Sequence, residues 1–346
     1  MTTTAAAAVA PRRRRLEFRG WMPLVLLAVL LLAVGGYTTS QSSKFLTTYN
    51  LNGLLLATVP LALVSIGQLN VLLVGTFDVS VGALATLAVV VMSFLMGQDA
   101  PWYQLLGGAL AVAGLGVLVG LVNAALVEVL GLSAIIATLA TLSVLQGFAL
   151  HMRPVAAGDV DSDLADALTT SWGFMPISFV GVVVLAVVWD LWLYRTRRGL
   201  GARAVGMDAV SAQRLGMRAR WIRAGAFVAC SLMSAIGGLF LGAWIQIGDP
   251  NSGTSYTLTS IAACIVGGAS FLGGRGTFLG AVLGSLFFFL IINVLPFLHT
   301  APEYSYILTG ALTLAALCVY EAPALAARAR QYVSDLRGAR SAEARR

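Results

Sequence analysis

The sequence predicts an all-α polytopic membrane protein of about ten transmembrane helices, and three observations carry that prediction. The chain is 58% hydrophobic and only 11% charged over 346 residues, too little charge to cover the surface of a soluble protein of that size. Its apolar runs recur at lengths that cross the ~30 Å hydrocarbon core of a bilayer. Its Lys and Arg residues are sorted between alternate loops, the arrangement that orients such spans.

The apolar runs place helices near 21–36, 51–74, 77–96, 104–130 and 132–150, then near 174–193, 222–247, 258–272, 277–296 and 304–320. The 258–272 run is short, and Gly131 alone separates two runs. With the N-terminus inside, every Lys and Arg except Lys44 and Arg153 falls on the cytoplasmic side. Five arginines precede Trp21, eight lie between Arg195 and Arg223, Arg275 stands alone, and six follow Glu321. The outer loop after Met152 carries Asp159, Asp161, Asp163 and Asp166 instead. The net charge of +7 is therefore mostly a topology signal rather than a nucleic-acid footprint. Residues 1–20 read as a basic cytoplasmic extension, 21–320 as the transmembrane domain with a cytoplasmic loop at 195–223, and 321–346 as a cytoplasmic tail; both termini are cytoplasmic. Arg12 to Arg15 followed by an apolar stretch also has the outline of a signal peptide, but an uncleaved first span is preferred.

Several chemistries find no support in the residue pattern. Cys230, Cys264 and Cys318 have no paired spacing, and His151 and His299 stand far from any motif of metal-ligand spacing, so no metal is expected. Lys44, the only lysine, lies on the outer side, so the chain has no Walker A lysine and is no P-loop ATPase. No Ser/His/Asp set, HExxH or facing carboxylate pair is present, and the chain is expected to be non-catalytic. Asp78, Glu128 and Asp190 are the acids nearest the apolar runs, and all three map toward cytoplasmic ends. A neutral midplane argues against an ion-driven carrier, which buries ionisable groups there.

The loop from Arg195 to Arg223 holds the segment GARAVGMDAVSAQRLGM. Ala204 to Met217 fit one short helix on the membrane surface, with Asp208 near its start and Arg214 near its end, matching the helix dipole. Gly206, Ala209 and Ala212 are small enough to press into a groove on another protein; a solvated loop whose arginines only orient the spans accounts for the spacing equally well. Asp78, Ser80 and Gly82 stand beside a helix start, where a carboxylate caps exposed amides and a break in the span serves a gate. Gly267, Gly268, Gly273, Gly274 and Gly276 permit close helix approach and sharp turns, with Arg275 at the interface. Gln68, Asn70, Asn123, Gln146 and Asn293 are candidate pathway polars, each equally suited to bonding a neighbouring helix.

These segments resemble the bacterial ABC importer permeases for monosaccharides, the group that includes ribose, xylose, arabinose, galactose and autoinducer-2 permeases. RGLGARAVGMDAVSAQRLGM resembles the family's cytoplasmic coupling loop, FDVSVGALATL its IDLSVG segment, and IAACIVGGASFLGGRGTFLGAVLG its AAVVLGGTSLxGGRGS signature. VNAALVEVLGLSAIIATLATLSVLQG resembles the family's helix, inner turn and second helix. The likeness covers 51–320, in the family's order; Thr76 and Phe77 stand where the family shows Gly and Ile. It implies that Ala204, Gly206, Asp208, Ala209, Ala212, Gly216 and Met217 dock into a cytoplasmic P-loop ATPase subunit. It also implies a second permease copy, most simply a homodimer, an extracytoplasmic solute-binding protein meeting short outer loops such as 248–256, and a place in the bacterial inner membrane. The chain itself would bind no cofactor, ATP being used by the partner. A branched-chain amino acid ABC permease and a secondary carrier are the rival readings.

Overall fold

The computed structural model describes residues 18–298 continuously, Thr300, and the positions 303, 304, 307–311 and 314. The flanking segments 1–17 and 315–346, and most of the tenth expected span, lie outside the described residues. The helices are α1 (Phe18–Gln41), α2 (Thr48–Leu73), α3 (Val81–Leu95), α4 (Trp102–Ala124), α5 (Ala134–Met152), α6 (Ser162–Thr169), α7 (Ile177–Arg195), α8 (Arg197–Met207), α9 (Ala209–Arg214), α10 (Ala219–Ile245), α11 (Tyr256–Val266) and α12 (Phe278–Val294). A π-helical turn, Ala125–Val129, extends α4, and a 3-10 turn, Leu295–Leu298, ends α12. Seven of these helices are long and apolar enough to cross a membrane, and the apolar helices Val81–Leu95 and Tyr256–Val266 are shorter. Together they occupy the first nine expected spans.

Burial separates a centre from a rim. The span of α2 is 89% buried and that of α10 56%, against 11% for α1 and 22% for α5 and α7. α2 and α10 pack on each other, with α3 and α4 against α10 and with α11 and α12 against α2. The rim helices turn Leu110, Leu121, Ile136, Phe148 and Val184 outward, the side chains a lipid-facing surface requires.

Polar side chains tie the central helices together where small residues let backbones approach. Asn50 and Asn293 exchange amide hydrogen bonds at 3.1 and 2.9 Å, joining α2 to α12. Ser285 donates to the Ser65 hydroxyl at 3.0 Å, and the Cys264 thiol donates to the Ser65 carbonyl at 3.2 Å. Asn123 and Gln146 also bond across elements, whereas Asn70 bonds within its own helix, to Ile66.

The outer loop after α5 is built rather than slack. β1 (Ala157–Asp159) pairs antiparallel with β4 (Ile247–Gly248), β2 (Ser171–Trp172) pairs with β3 (Met175–Pro176), and Asp161 caps α6 through the Leu164 amide at 2.9 Å. Arg153, one of the two cations expected outside, donates to Ser93 Oγ at 2.8 Å and covers the Phe94 ring.

The expected outer loop 248–256 is corrected by the structure. From Gly248, packed against Ser93 at the outer end of α3, the chain runs inward until the Gly253 amide donates to Thr86 Oγ1 at 3.0 Å. Gly82, at the start of α3, packs against Gly253 and Thr257. Ser93 to Gly82 spans about 16 Å of helix rise, so the segment is re-entrant and α11 begins at membrane depth. This explains the short 258–272 run: the span is part irregular turns and part helix. Its turns are held by the Gln146 side-chain amide on the Pro250 carbonyl at 2.8 Å.

Candidate functional site at the cytoplasmic junction

The expected single helix from Ala204 to Met217 is two helices, α8 and α9, meeting at Asp208 in an extended conformation. The Asp208 carboxylate accepts from the Val210 and Ser211 amides at 3.0 and 3.1 Å and from the Ser211 hydroxyl at 2.5 Å. Asp208 is thus the N-cap of the second helix, and a residue whose side chain captures the amides ahead of it ends the helix behind it. The Ser211 hydroxyl, then the Ser211 and Val210 amides, hold this exposed carboxyl below its ordinary titration range. Arg214 closes α9, as the dipole favours.

Inside this pair, Ala212 packs with Val205 and Ala219, and Ala209 and Met217 lean on the same small core. Ala204 is half-buried. Met207, Val210 and Leu215 are exposed, Leu215 at 77%, and with exposed Asp208, Arg214 and Gly216 they form the outward face.

Gly206 points the other way, into the membrane domain. A Cβ there would overlap the Leu73 carbonyl oxygen and come within 2.7 Å of the Gly274 amide nitrogen. The Gly274 amide donates to that same Leu73 carbonyl at 2.9 Å. Three chain segments therefore converge: the end of α2, the cytoplasmic helix α8 and the loop joining α11 to α12. Arg203 Nε donates to the Gly274 carbonyl at 3.3 Å and lies over the Tyr194 ring, whose hydroxyl donates to the Gly276 carbonyl at 3.0 Å.

The loop adopts this path because Gly273, Gly274 and Gly276 all take positive φ, +91°, +74° and +153°, a region closed to most side chains. Gly267 packs on the Gly280 backbone, closing α11 against α12, and Gly268 turns the chain after it. Arg275 is exposed beside this turn, its carbonyl accepting from the Ser270 amide.

Sequence reasoning missed what completes the loop. Asp190, near the end of α7, accepts from the Phe278 and Leu279 amides at 2.8 and 3.0 Å, and Thr277 Oγ1 accepts from the Gly280 amide at 3.1 Å. α12 is thus capped by its own threonine and by a carboxylate from another helix. Glu128, in the π turn, pairs with Arg223 of α10 at 2.7 Å.

Asp78 lies deeper than its sequence position suggests. The helix starts at Val81, and Ser80, its N-cap, makes no side-chain capping bond. Fully buried, Asp78 instead accepts from the Ser80 amide at 2.9 Å and its hydroxyl at 2.6 Å, from Asn123 Nδ2 at 3.2 Å and from the Ser231 hydroxyl at 3.5 Å. Asn123 and Ser231 stand five and eight residues further into their helices than the Glu128–Arg223 pair, about 8 to 12 Å by helix rise. Asp78 therefore locks the α2–α3 break to α4 and α10 within the bundle.

A multi-pass membrane protein with a re-entrant half-helix, and with a cytoplasmic helix pair wedged onto the loop that ends it, has the construction of a transport permease. Comparison with known proteins agrees. Residues 50–317 match the model of the family described as branched-chain amino acid transport system / permease component. The chain is 33% identical over 270 residues to the probable ABC transporter permease protein y4mJ of Sinorhizobium fredii, covering 77% of this chain and 78% of that one. Over 296 residues it is 31% identical to the autoinducer 2 import system permease protein LsrC of Salmonella typhimurium, with 84% and 83% covered. It is 26% identical over 308 residues to the ribose import permease protein RbsC of Haemophilus influenzae, with 87% and 92% covered. No solved structure matches. The chain belongs to this permease family, and it is a multi-pass inner-membrane protein of the ABC transporter class.

Proposed function

We propose that this chain is the membrane-spanning subunit of an ATP-driven importer that translocates a monosaccharide or a similar polar solute. One observation carries the mechanism: α8 is wedged between Leu73 and Gly274, and the loop holding Gly274 is the direct continuation of α11. A push on α8 is transmitted to a half-helix whose other end lies at membrane depth. The exposed face of Met207, Asp208, Val210, Arg214, Leu215 and Gly216 docks the ATPase. Ala204, Gly206, Ala209, Ala212 and Met217 keep the helix pair in shape and seated.

The re-entrant segment supports a second copy. Asn251, Thr254 and Ser255 are exposed on irregular backbone at membrane depth, and lipid does not tolerate such backbone unless protein or a water-filled cavity covers it. Two chains facing each other across these segments enclose a polar pathway, and its hydroxyl and amide groups suit a polyhydroxylated solute. The names of the relatives, autoinducer 2 and ribose permeases, support the same solute class. A binding protein meets the outer face built by α6 and the β2–β3 hairpin.

The test is to purify the chain gently, identify co-eluting subunits, and measure ATP hydrolysis with binding protein loaded with pentoses, hexoses or leucine. Co-elution of a P-loop ATPase stimulated by sugar-loaded binding protein is expected. Stimulation by leucine alone would transfer the assignment to amino acid import, and ion-driven uptake by the chain alone to a secondary carrier. Leu215→Glu should abolish stimulation while the fold persists; unchanged uptake in that variant removes the docking face.

A further inference from the structure

A cavity of about 850 Å³ opens at the cytoplasmic end of the bundle, between the ends of α2 and α7, the start of α10, and α8. Its lining is mostly apolar and includes three tryptophans, Trp189, Trp192 and Trp221, and three arginines, Arg197, Arg198 and Arg218. Among the described residues no acidic side chain lines it. None of the three arginines forms an ion pair among the described residues; the ion pair found there is Arg223 with Glu128. Trp221 is 73% exposed, an unfavourable state for an indole in water and an ordinary one at a lipid headgroup.

We propose that this cavity is a binding site for one anionic phospholipid of the inner leaflet. The position follows from topology: arginines at the inner ends of spans sit at headgroup level, and the cavity beside them lies at the height of the first acyl carbons. Guanidinium forks match phosphate oxygens in geometry and charge. Basic pockets between helices on the cytoplasmic side favour anionic headgroups for the same reason, and the apolar interior accepts the chain. The lipid would bridge α7, α8 and α10, so it holds the root of the cytoplasmic helix pair.

The test uses the full-length chain in mixed phosphatidylglycerol and phosphatidylcholine nanodiscs, extracted into detergent and weighed with its bound lipids by native mass spectrometry. Retention of phosphatidylglycerol over phosphatidylcholine by at least about tenfold is expected, since even one to two of the three arginines acting near the surface supply that preference. The triple variant R197Q/R198Q/R218Q should reduce that preference to near parity. Gly225 lines the cavity and a Cβ there meets nothing within 4 Å, so Gly225→Phe projects a ring into the space an acyl chain would take, keeps every charge, and should lower retention of the lipid itself. Equal retention of both lipids by the wild type overturns the proposal, as does undiminished retention by Gly225→Phe. If Gly225→Phe instead splits a dimer and leaves lipid retention intact, the cavity is a contact between copies and the lipid assignment falls.

Discussion

The Gly274 amide and the Leu73 carbonyl are 2.9 Å apart, and the Cα of Gly206 closes over the bond between them. An apolar span, the short helix α8 and the glycine loop after α11 thus share one contact made almost wholly of backbone. Gly206→Ala forces a methyl group into the Leu73 carbonyl, where backbone cannot yield as a flexible side chain would. It should destabilise the protein by about 3 kcal/mol, the upper end for overpacking, and reduce vesicle uptake at least as severely. Gly216→Ala meets no atom within 4 Å and suffers only its φ of +82°, a cost of about 1 kcal/mol. Thermal unfolding of the two purified variants ranks them; equal shifts would show that the junction is not the close contact described.

The Glu128–Arg223 pair joins the π turn after α4 to α10, with the glutamate side chain 5% exposed and the arginine 30%. Glu128→Ala and Arg223→Ala should each cost about 2 kcal/mol, below the range for a fully buried pair because the arginine reaches solvent. Replacing both with uncharged residues should cost less than the two single changes together. A double-mutant cycle on unfolding midpoints measures the coupling, and strict additivity would show that the pair contributes nothing.

How far the sequence foretold this structure depended on whether the signal was periodic or long-range. The nine described spans followed from run length, a local property. The break at Asp208 was legible as a capping residue, yet Asp208 and Arg214 also fit the two ends of a single helix from Ala204 to Met217, and that concealed it. The re-entrant segment was not legible, because Gly248, Pro250 and Gly253 read as an ordinary polar turn. Only packing against Ser93 and Thr86 of α3 shows that it descends into the bundle. Likewise Asp78 read as a simple cap, since its bonds to Asn123 and Ser231 cross 45 and 153 residues of sequence.

Asp190 and Thr277 share the N-terminus of α12. Asp190→Ala strips the Phe278 and Leu279 amides of their acceptor and should cost about 1–2 kcal/mol, as loss of a capping side chain does. Asp190→Asn keeps one carbonyl oxygen to accept and should lose about half as much. Hydrogen exchange at residues 278–280 reads the effect where it arises. If Asp190→Ala leaves those amides as protected as in the wild type, the cap is not formed by α7.

Asp208 gives the cytoplasmic pair a pH dependence whose sign is fixed by its bonds. Its folded carboxyl titrates below the ordinary value because the Ser211 hydroxyl and the Ser211 and Val210 amides favour the charged form. A group with a depressed folded pKa contributes its full stability above its unfolded value, about 3.9 for aspartate. That contribution fades as pH falls toward and through the lower folded value. α9 should therefore be indifferent to pH across about pH 5 to 8 and fray only in stronger acid. Carbon-13 NMR of labelled aspartate in the purified chain should place the Asp208 midpoint under about 3.9. Ser211→Ala removes the largest cause and should move the midpoint upward; a midpoint that stays in place would mean the hydroxyl bond is absent in solution.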